Sequence, residues 1–176
     1  LVGAKMANIG EIRNRIGMRT PNGFVITAYA YGRFMGDTGL QKEIDRLLQM
    51  ADPDDVESLF TLSSKIRLLI METSVPDDIA LAIESAWKRI EDEEGQRITM
   101  ALRSSAFGED SPDLSFAGQY SSELNVPFSR ALEAYKTVVS SKYSLQAITY
   151  RLNRGFRDED IPMSVAQVST RPIELP

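Results

Sequence analysis

Three short segments of the sequence carry groups that suit phosphate oxygens. Gly3-Ala4-Lys5 opens a predicted helix, where unpaired N–H groups and the helix dipole favour an anion and the lysine adds a full charge. Arg103-Ser104-Ser105 ends a predicted strand and supplies a forked guanidinium and two hydroxyls at one edge of a sheet. Ser115-Phe116-Ala117-Gly118-Gln119 combines small residues, whose backbone can approach a ligand closely, with polar side chains. Together they predict a polyphosphate site formed by Lys5, Arg103, Ser104, Ser115, Gly118 and Gln119.

Each segment also has an ordinary structural interpretation. Lys5 could be a surface lysine near a chain end, and Arg103 could pair with Glu109 or Asp110 to hold a loop, as surface ion pairs often do. The segment 115–119 could be a tight hairpin with Phe116 in the core. The spacing Gly-x-x-x-x-Gly-Lys-Ser/Thr of a Walker A loop is missing. The agreement among three separate segments, rather than any one of them, favours the phosphate site.

The composition narrows the chemistry that the chain can perform. The 176 residues include no histidine and no cysteine, which excludes Ser-His-Asp catalysis, a phosphohistidine step, disulfides and thiolate metal sites on this chain. Carboxylate, carbonyl or hydroxyl ligands would favour Mg²⁺ over Zn²⁺. A net charge of -5 argues against nucleic-acid and anionic-membrane partners. No apolar run could span a bilayer and no signal-peptide core opens the chain, so we expect a cytoplasmic protein.

Hydrophobic spacing and turn residues predict the elements that position these groups. The predicted helices are 4–16, 28–35 with Thr27 as its cap, a stretch over 40–48, two that start near Pro53 and Pro76, one from Ser129 through Tyr143, and one over 145–152. The predicted strands are 24–27, 98–102, 120–126 and 163–168, with loops at 106–119 and 158–160. The pattern predicts an α+β domain in which a strand–loop–strand unit stands between two helical regions.

At these segments the sequence resembles the N-terminal nucleotide-binding region of the phosphoenolpyruvate synthase and pyruvate phosphate dikinase family. Residues 3–12 resemble the family's Gly-Gly-Lys-Gly-Ala-Asn-Leu-Gly-Glu-Met, and residues 21–27 resemble Pro-x-Gly-Phe-Val-Ile-Thr. A third block runs through 102–110, 115–119 and 124–126. A fourth block comprises Tyr143, Ala147, Tyr150 and Arg151. The blocks keep the family's order and cover most of the chain up to about Ala166.

The resemblance implies an ATP-grasp fold, with ATP between two lobes and Mg²⁺ on its phosphates. It implies that a phosphoryl group passes from ATP to a histidine on a separate domain, and then to pyruvate on a third domain. By position, Lys5 and Arg103 correspond to the family's phosphate-binding lysine and arginine, with Arg103 as the catalytic residue. The segment 115–119 corresponds to its small-residue phosphate loop. Arg171 lies in Ser169-Thr170-Arg171-Pro172, which resembles the Gln-x-Arg-Pro that closes the nucleotide domain.

The sequence departs from the family pattern at several positions. Ala4 and Met6 replace glycines, and Ser169 replaces a glutamine. Residues 1–166 are expected to form the first lobe with its helical layer, and residues 167–176 a closing strand after a missing segment. The second lobe would then be largely absent, together with the acidic metal ligands, so no metal ligand is assigned. We therefore expect an ATP-dependent phosphotransferase part that is inactive by itself.

Two alternatives remain open at the level of sequence. One is a related phosphotransferase with another acceptor, such as an antibiotic or a glucan, because acceptor choice lies on other domains. The other is a non-catalytic nucleotide-sensing module, which the changes at Ala4, Met6 and Ser169 would support. In each case the expected partners are ATP and further domains of the same protein, and neither nucleic acid nor a membrane is expected.

Overall fold

A four-stranded antiparallel sheet lies at the centre of the structure. The computed structural model describes residues 20–106, 110–111, 114–115 and 120–170, together with Glu11 and Arg15. The strands of the sheet are β1 (Gly23–Ile26), β2 (Thr99–Ala106), β5 (Ser122–Pro127) and β6 (Met163–Ser169), in the order β1-β6-β2-β5. Two further strands, β3 (Asp110–Ser111) and β4 (Leu114–Ser115), pair with each other. The last strand, β6, lies between β1 and β2. The first and last strands of the described chain are therefore neighbours in one sheet.

Six α-helices accompany the sheet in the described part of the chain. They are α1 (Ala28–Asp37), α2 (Leu40–Leu48), α3 (Val56–Glu72), α4 (Asp77–Glu94), α5 (Ala131–Ser140) and α6 (Leu145–Arg154). Three short 3-10 turns cover Phe128–Arg130, Ser141–Tyr143 and Asp158–Asp160. No helix of these described segments has the length and apolarity needed to cross a bilayer. The predicted α+β class is confirmed.

Local sequence explains where several helices begin and end. Thr27 caps α1 by accepting a hydrogen bond from the Ala30 N–H, as predicted. The Asp55 side chain accepts from the Glu57 and Ser58 N–H groups and starts α3. Gly95 ends α4 in the left-handed conformation, with φ 67°. Capping residues therefore determine where these three helices begin or end.

Both predicted boundaries of the helix 129–143 are wrong. Ser129 does not cap a helix, because it lies inside the 3-10 turn Phe128–Arg130 and α5 begins only at Ala131. The predicted helix through Tyr143 ends at Ser140, where the chain tightens into the turn Ser141–Tyr143. This turn interrupts the helical run and becomes the meeting point of several buried side chains.

The helices bury one face of the sheet. Helix α5 contacts β2, β5 and β6, and it also contacts α3. Met100 and Leu102 project from β2 into this core, where Trp87, Tyr135 and Tyr143 are also fully buried. The opposite face of β2 carries the candidate site.

Strand β5 contains an extra residue opposite β2. Met100 pairs with Val126, whereas Leu102 pairs with Glu123, so β5 holds one residue more than β2 over this interval. Asn125 lies within the bulge and has φ 54°, a left-handed conformation that asparagine tolerates better than most residues. The bulge ends before Arg103, which pairs regularly with Ser122.

Candidate functional site

Arg103 lies in the middle of the sheet, and its side chain is exposed. It pairs with Ala166 of β6 on one side and with Ser122 of β5 on the other. Ala101 and Ser105 share its face of β2 because side chains alternate along a strand, and both are small and buried. Among the side chains that the structure describes, which include neither Glu109 nor Asp110, Arg103 has no ion-pair partner. Its guanidinium therefore offers this face a positive group for an anion.

Ser104 occupies the opposite face of β2. Its side chain is buried on the same side as Leu102, and its cross-strand partner is Val165. The strand runs through Arg103, Ser104 and Ser105 to Ala106, close to the predicted end, but the expectation that it delivers all three side chains together is wrong. Alternation then sends adjacent side chains to opposite faces. The structure does not bring the Ser104 hydroxyl beside the Arg103 guanidinium.

Most of the other predicted ligands lie outside the described residues. Lys5, Gly118, Gln119 and Arg171 belong to this group, as does the predicted helix 4–16. Ser115 contributes its backbone to β4, where it pairs with Asp110. Glu109, one proposed ion-pair partner of Arg103, also lies outside the described residues. The convergence of the three phosphate-compatible segments therefore stays a prediction.

A buried ionic cluster lies behind the sheet, formed by Lys142, Arg151 and Asp158. The side chains of Lys142 and Asp158 are 1% and 3% exposed, and Lys142 Nζ lies 3.1 Å from Asp158 Oδ1. Arg151 Nη2 lies 3.6 Å from the same oxygen. Lys142 Nζ donates hydrogen bonds to the Tyr31 hydroxyl and to the Asp158 backbone carbonyl, each at 3.0 Å. Its contact with Oδ1 is therefore mainly electrostatic, since that oxygen accepts no well-directed hydrogen bond from the described residues.

The second carboxylate oxygen of Asp158 is hydrogen-bonded. The Tyr143 hydroxyl donates to Oδ2 at 2.7 Å, and the Gln41 side chain donates to it at 3.1 Å. Burial alone would raise the pKa of Asp158, but the charges of Lys142 and Arg151, with these two hydrogen bonds, outweigh it and lower the pKa. Burial raises the pKa of Tyr143 well above its usual value, so this phenol remains a neutral donor. The carboxylate is ionised and held by partners from several elements.

Sequence reasoning misses this cluster. The run Asp158-Glu159-Asp160 predicts only a loop, yet Asp158 is buried while the side chains of its two acidic neighbours are largely exposed. A signal is present in α6, where Arg151 falls on the same helical face as the buried Ala147 and Ile148. A charged residue on an apolar face requires a buried partner. The sequence does not identify which carboxylate supplies it.

The described residues do not supply an evident metal site. They include no group of three or more carboxylates close enough to hold a cation. The carboxylate of the ionic cluster is already held by two cations, and it lies behind the sheet rather than beside Arg103. The described part of the chain therefore does not fit a Mg²⁺ ligand set, and we derive no step through a metal ion.

These features define an α+β domain whose central sheet carries an exposed arginine on the face opposite its buried core. The model of the family "Pyruvate phosphate dikinase, AMP/ATP-binding domain" matches residues 1–169, and the chain belongs to this family.

Several relatives are similar over nearly the whole chain. "Phosphoenolpyruvate synthase" of Neisseria meningitidis serogroup B is 39% identical over 168 residues, which are 93% of this chain and 21% of the relative. "Phosphoenolpyruvate synthase" of Escherichia coli K12 is 36% identical over 167 residues, again 93% and 21%. "Rifampicin phosphotransferase" of Streptomyces sviceus is 38% identical over 167 residues, which are 94% of this chain and 19% of the relative. The chain thus spans about a fifth of the length of these relatives.

Proposed function

We infer that this chain binds ATP as the nucleotide-binding part of a dikinase-like phosphotransferase. The observation that carries the proposal is the exposed Arg103 in the middle of the sheet, in a chain that belongs to an AMP/ATP-binding family. Apart from Glu109 and Asp110, whose side chains lie outside the description, no carboxylate of the described part of the chain pairs with it. On the basis of the family, we propose an ATP-grasp arrangement in which ATP lies between this part and a second lobe. Mg²⁺ would accompany the ATP phosphates, with ligands from outside the described residues. A cytoplasmic location belongs to the same proposal.

Arg103 would act by neutralising charge on the phosphates. Phosphoryl transfer depends mainly on positioning and electrostatic stabilisation, because charge spreads over the oxygens of the transferred group. A guanidinium presents forked donors that match two phosphate oxygens at once. Its place in the middle of a paired strand, rather than on a free loop, would keep those donors in a fixed direction. Direct contacts from Lys5, Ser115, Gly118, Gln119 and Arg171 remain predictions. The Ser104 side chain lies on the buried face of β2, opposite to Arg103, and therefore would not face the same phosphates.

The phosphoryl acceptor would lie on another domain. The chain contains no histidine, so a phosphohistidine intermediate would form elsewhere in the protein. From there the group would reach pyruvate on a further domain, in keeping with the names of the synthase relatives. A related phosphotransferase with another acceptor is the second candidate, favoured by the similarity to a rifampicin phosphotransferase. The non-catalytic nucleotide-sensing module remains a weaker alternative without such an observation.

Titration of the full-length gene product with Mg-ATP tests the binding. Arg103→Ala is expected to weaken binding or turnover by about 1–3 kcal/mol, because a charged hydrogen bond to phosphate is lost. Arg97→Ala is the matched control, since Arg97 is an exposed arginine just before the same strand. An affinity for Mg-ATP that Arg103→Ala leaves unchanged would remove Arg103 from the site. An absence of any binding heat or turnover with Mg-ATP would contradict the proposed function.

The acceptor is tested separately by adding radiolabelled ATP to the full-length protein and following the label. Acid-labile label on a histidine, followed by transfer to pyruvate, is expected for the leading proposal. Transfer to an antibiotic or a glucan instead would favour the second candidate. Binding of ATP with no transfer to any histidine would favour the sensing module.

The division of the chain into residues 1–166 and 167–176 also remains a proposal. Strand β6 passes through Ala166 and Gln167, and both residues pair with β2. Sequencing of the encoding gene across this point tests whether a segment is missing there.

A further inference from the structure

The position of Arg103 is set by the two strands that flank it. Its backbone pairs with Ser122 of β5 and with Ala166 of β6. The Ser164 hydroxyl donates a hydrogen bond to the Ser105 carbonyl at 3.0 Å, which adds a side-chain link between β6 and β2 next to the arginine. Any shift of β5 or β6 would therefore move the guanidinium.

Strand β5 is tied at its beginning to the turn Ser141–Tyr143, which we call the anchor turn. The Ser121 N–H, one residue before β5, donates to the Ser141 hydroxyl at 3.0 Å. That hydroxyl in turn donates to the Val138 carbonyl at 2.6 Å, so its direction is fixed. Ser141 is buried whereas Ser121 is exposed, so the hydroxyl end of this link is shielded from competing water.

Strand β6 is tied to the same anchor turn through Asp158, five residues before Met163. The Asp158 backbone carbonyl accepts from Lys142 Nζ, and its carboxylate accepts from the Tyr143 hydroxyl. Three consecutive residues of the anchor turn therefore hold the approaches to both strands that flank Arg103.

The anchor turn is itself held by side chains of helices α3 and α6. The Ser63 hydroxyl of α3 donates to the Tyr143 carbonyl at 2.7 Å, and Arg151 of α6 donates to the Lys142 carbonyl. Lys142 also lies over the rings of Tyr31 and Tyr143, at 5.2 and 5.6 Å from their centroids. Buried charges with this many directed partners have few alternative arrangements, because each displaced partner leaves an unpaired group in a dry interior.

We propose that the anchor turn and the buried ionic cluster form a positioning device for Arg103. They hold β5 through Ser141 and β6 through Asp158, and so orient the guanidinium toward a phosphate. The role rests on the proposed function, since it requires Arg103 to bind ATP. Neither Ser141 nor Asp158 touches the ligand in this proposal, and both act only through the strands.

A double-mutant cycle in the full-length gene product separates positioning from a general loss of structure. Ser141→Ala removes the acceptor of the Ser121 N–H and is expected to raise the Kd for Mg-ATP by about 2- to 10-fold. In an Arg103→Ala background the same change should alter the Kd by less than about twofold, because the residue through which it acts is gone. Asp158→Asn gives a second cycle on the β6 side, with the same expected pattern. Urea unfolding of each variant identifies the conditions under which it is fully folded, and the titrations are made there.

Ser140→Ala is the matched control. Ser140 is also buried at the end of α5, but its hydroxyl donates to the Thr137 carbonyl of its own helix and reaches neither strand. Its Kd for Mg-ATP should equal that of the wild type. Equal losses from Ser141→Ala with and without Arg103 would overturn the positioning role and leave the proposed function standing. If Arg103→Ala alone leaves the Kd unchanged, the proposed function of Arg103 fails, and the positioning role fails with it.

Discussion

At the residue scale, charge balance in the buried ionic cluster decides what each substitution does. Two cations, Lys142 and Arg151, face one carboxylate, Asp158. Removing the carboxylate leaves two like charges buried together, whereas removing one cation leaves a balanced pair. The energetic consequences of the two changes should therefore differ, even though both delete one charge.

We expect Asp158→Asn to lower the free energy of unfolding by about 3–5 kcal/mol, because it leaves buried charge uncompensated. Lys142→Met should lower it by only about 1–3 kcal/mol, since Arg151 still balances Asp158 and the loss is mainly that of hydrogen bonds. Urea unfolding at neutral pH measures both. Asp160→Asn removes an exposed carboxylate in the same turn and should leave the free energy of unfolding nearly unchanged. A larger loss from Lys142→Met than from Asp158→Asn would contradict this account of the cluster.

At the scale of elements, the close approach of β1 and β6 depends on Gly23. A Cβ at this position would lie 2.3 Å from the Gln167 carbonyl oxygen, so any larger residue must push the two strands apart. We expect Gly23→Ala to destabilise the protein by about 1–3 kcal/mol, measured by urea unfolding.

Gly32 provides the control for that prediction. It lies in α1, where an added Cβ would have no neighbouring atom within 4 Å beyond the backbone of its own helix. Gly32→Ala should therefore stabilise the protein by about 0.5–1 kcal/mol through helix propensity. Equal effects of the two substitutions would mean that the β1–β6 contact adjusts freely.

Element order is largely predictable because capping and turn residues act locally. Thr27 lies at the start of α1 as expected, and β1 and β6 occupy nearly the predicted ranges. The face on which a strand residue lies depends on where the strand ends, and β2 continues further than its apolar run indicates, so the face of Ser104 is not predictable from that run. The burial of Asp158 depends on residues more than a hundred positions away, such as Tyr31 and Gln41, and local pattern contains no such information.

At the scale of the whole molecule, the response to acid should reveal the cluster. Side-chain hydrogen bonds from arginine partners lower the pKa of four exposed carboxylates: Glu43, Asp78, Glu133 and Asp160. The pKa of Asp158 is lowered as well, but inside the protein, where salt screens its partners much less. Raising the ionic strength therefore separates the contribution of Asp158 to acid destabilisation from the contribution of the exposed carboxylates.

The direction in which the free energy of unfolding changes with pH follows from the number of protons bound in each state. A carboxylate with a lowered folded pKa binds fewer protons in the native state than in the unfolded state, where its pKa is about 3.9 for Asp. Its stabilisation is complete above the unfolded pKa and is lost as the pH falls through the folded pKa. The free energy of unfolding should therefore fall as the pH drops from about 5 toward 3.

At about 1 M salt the exposed pairs are largely screened, and the remaining fall in the free energy of unfolding should come mainly from Asp158. Urea unfolding across this range tests the assignment, because Asp158→Asn should flatten the high-salt profile whereas Asp160→Asn should leave it steep. An unchanged slope in Asp158→Asn would assign the acid response to other carboxylates.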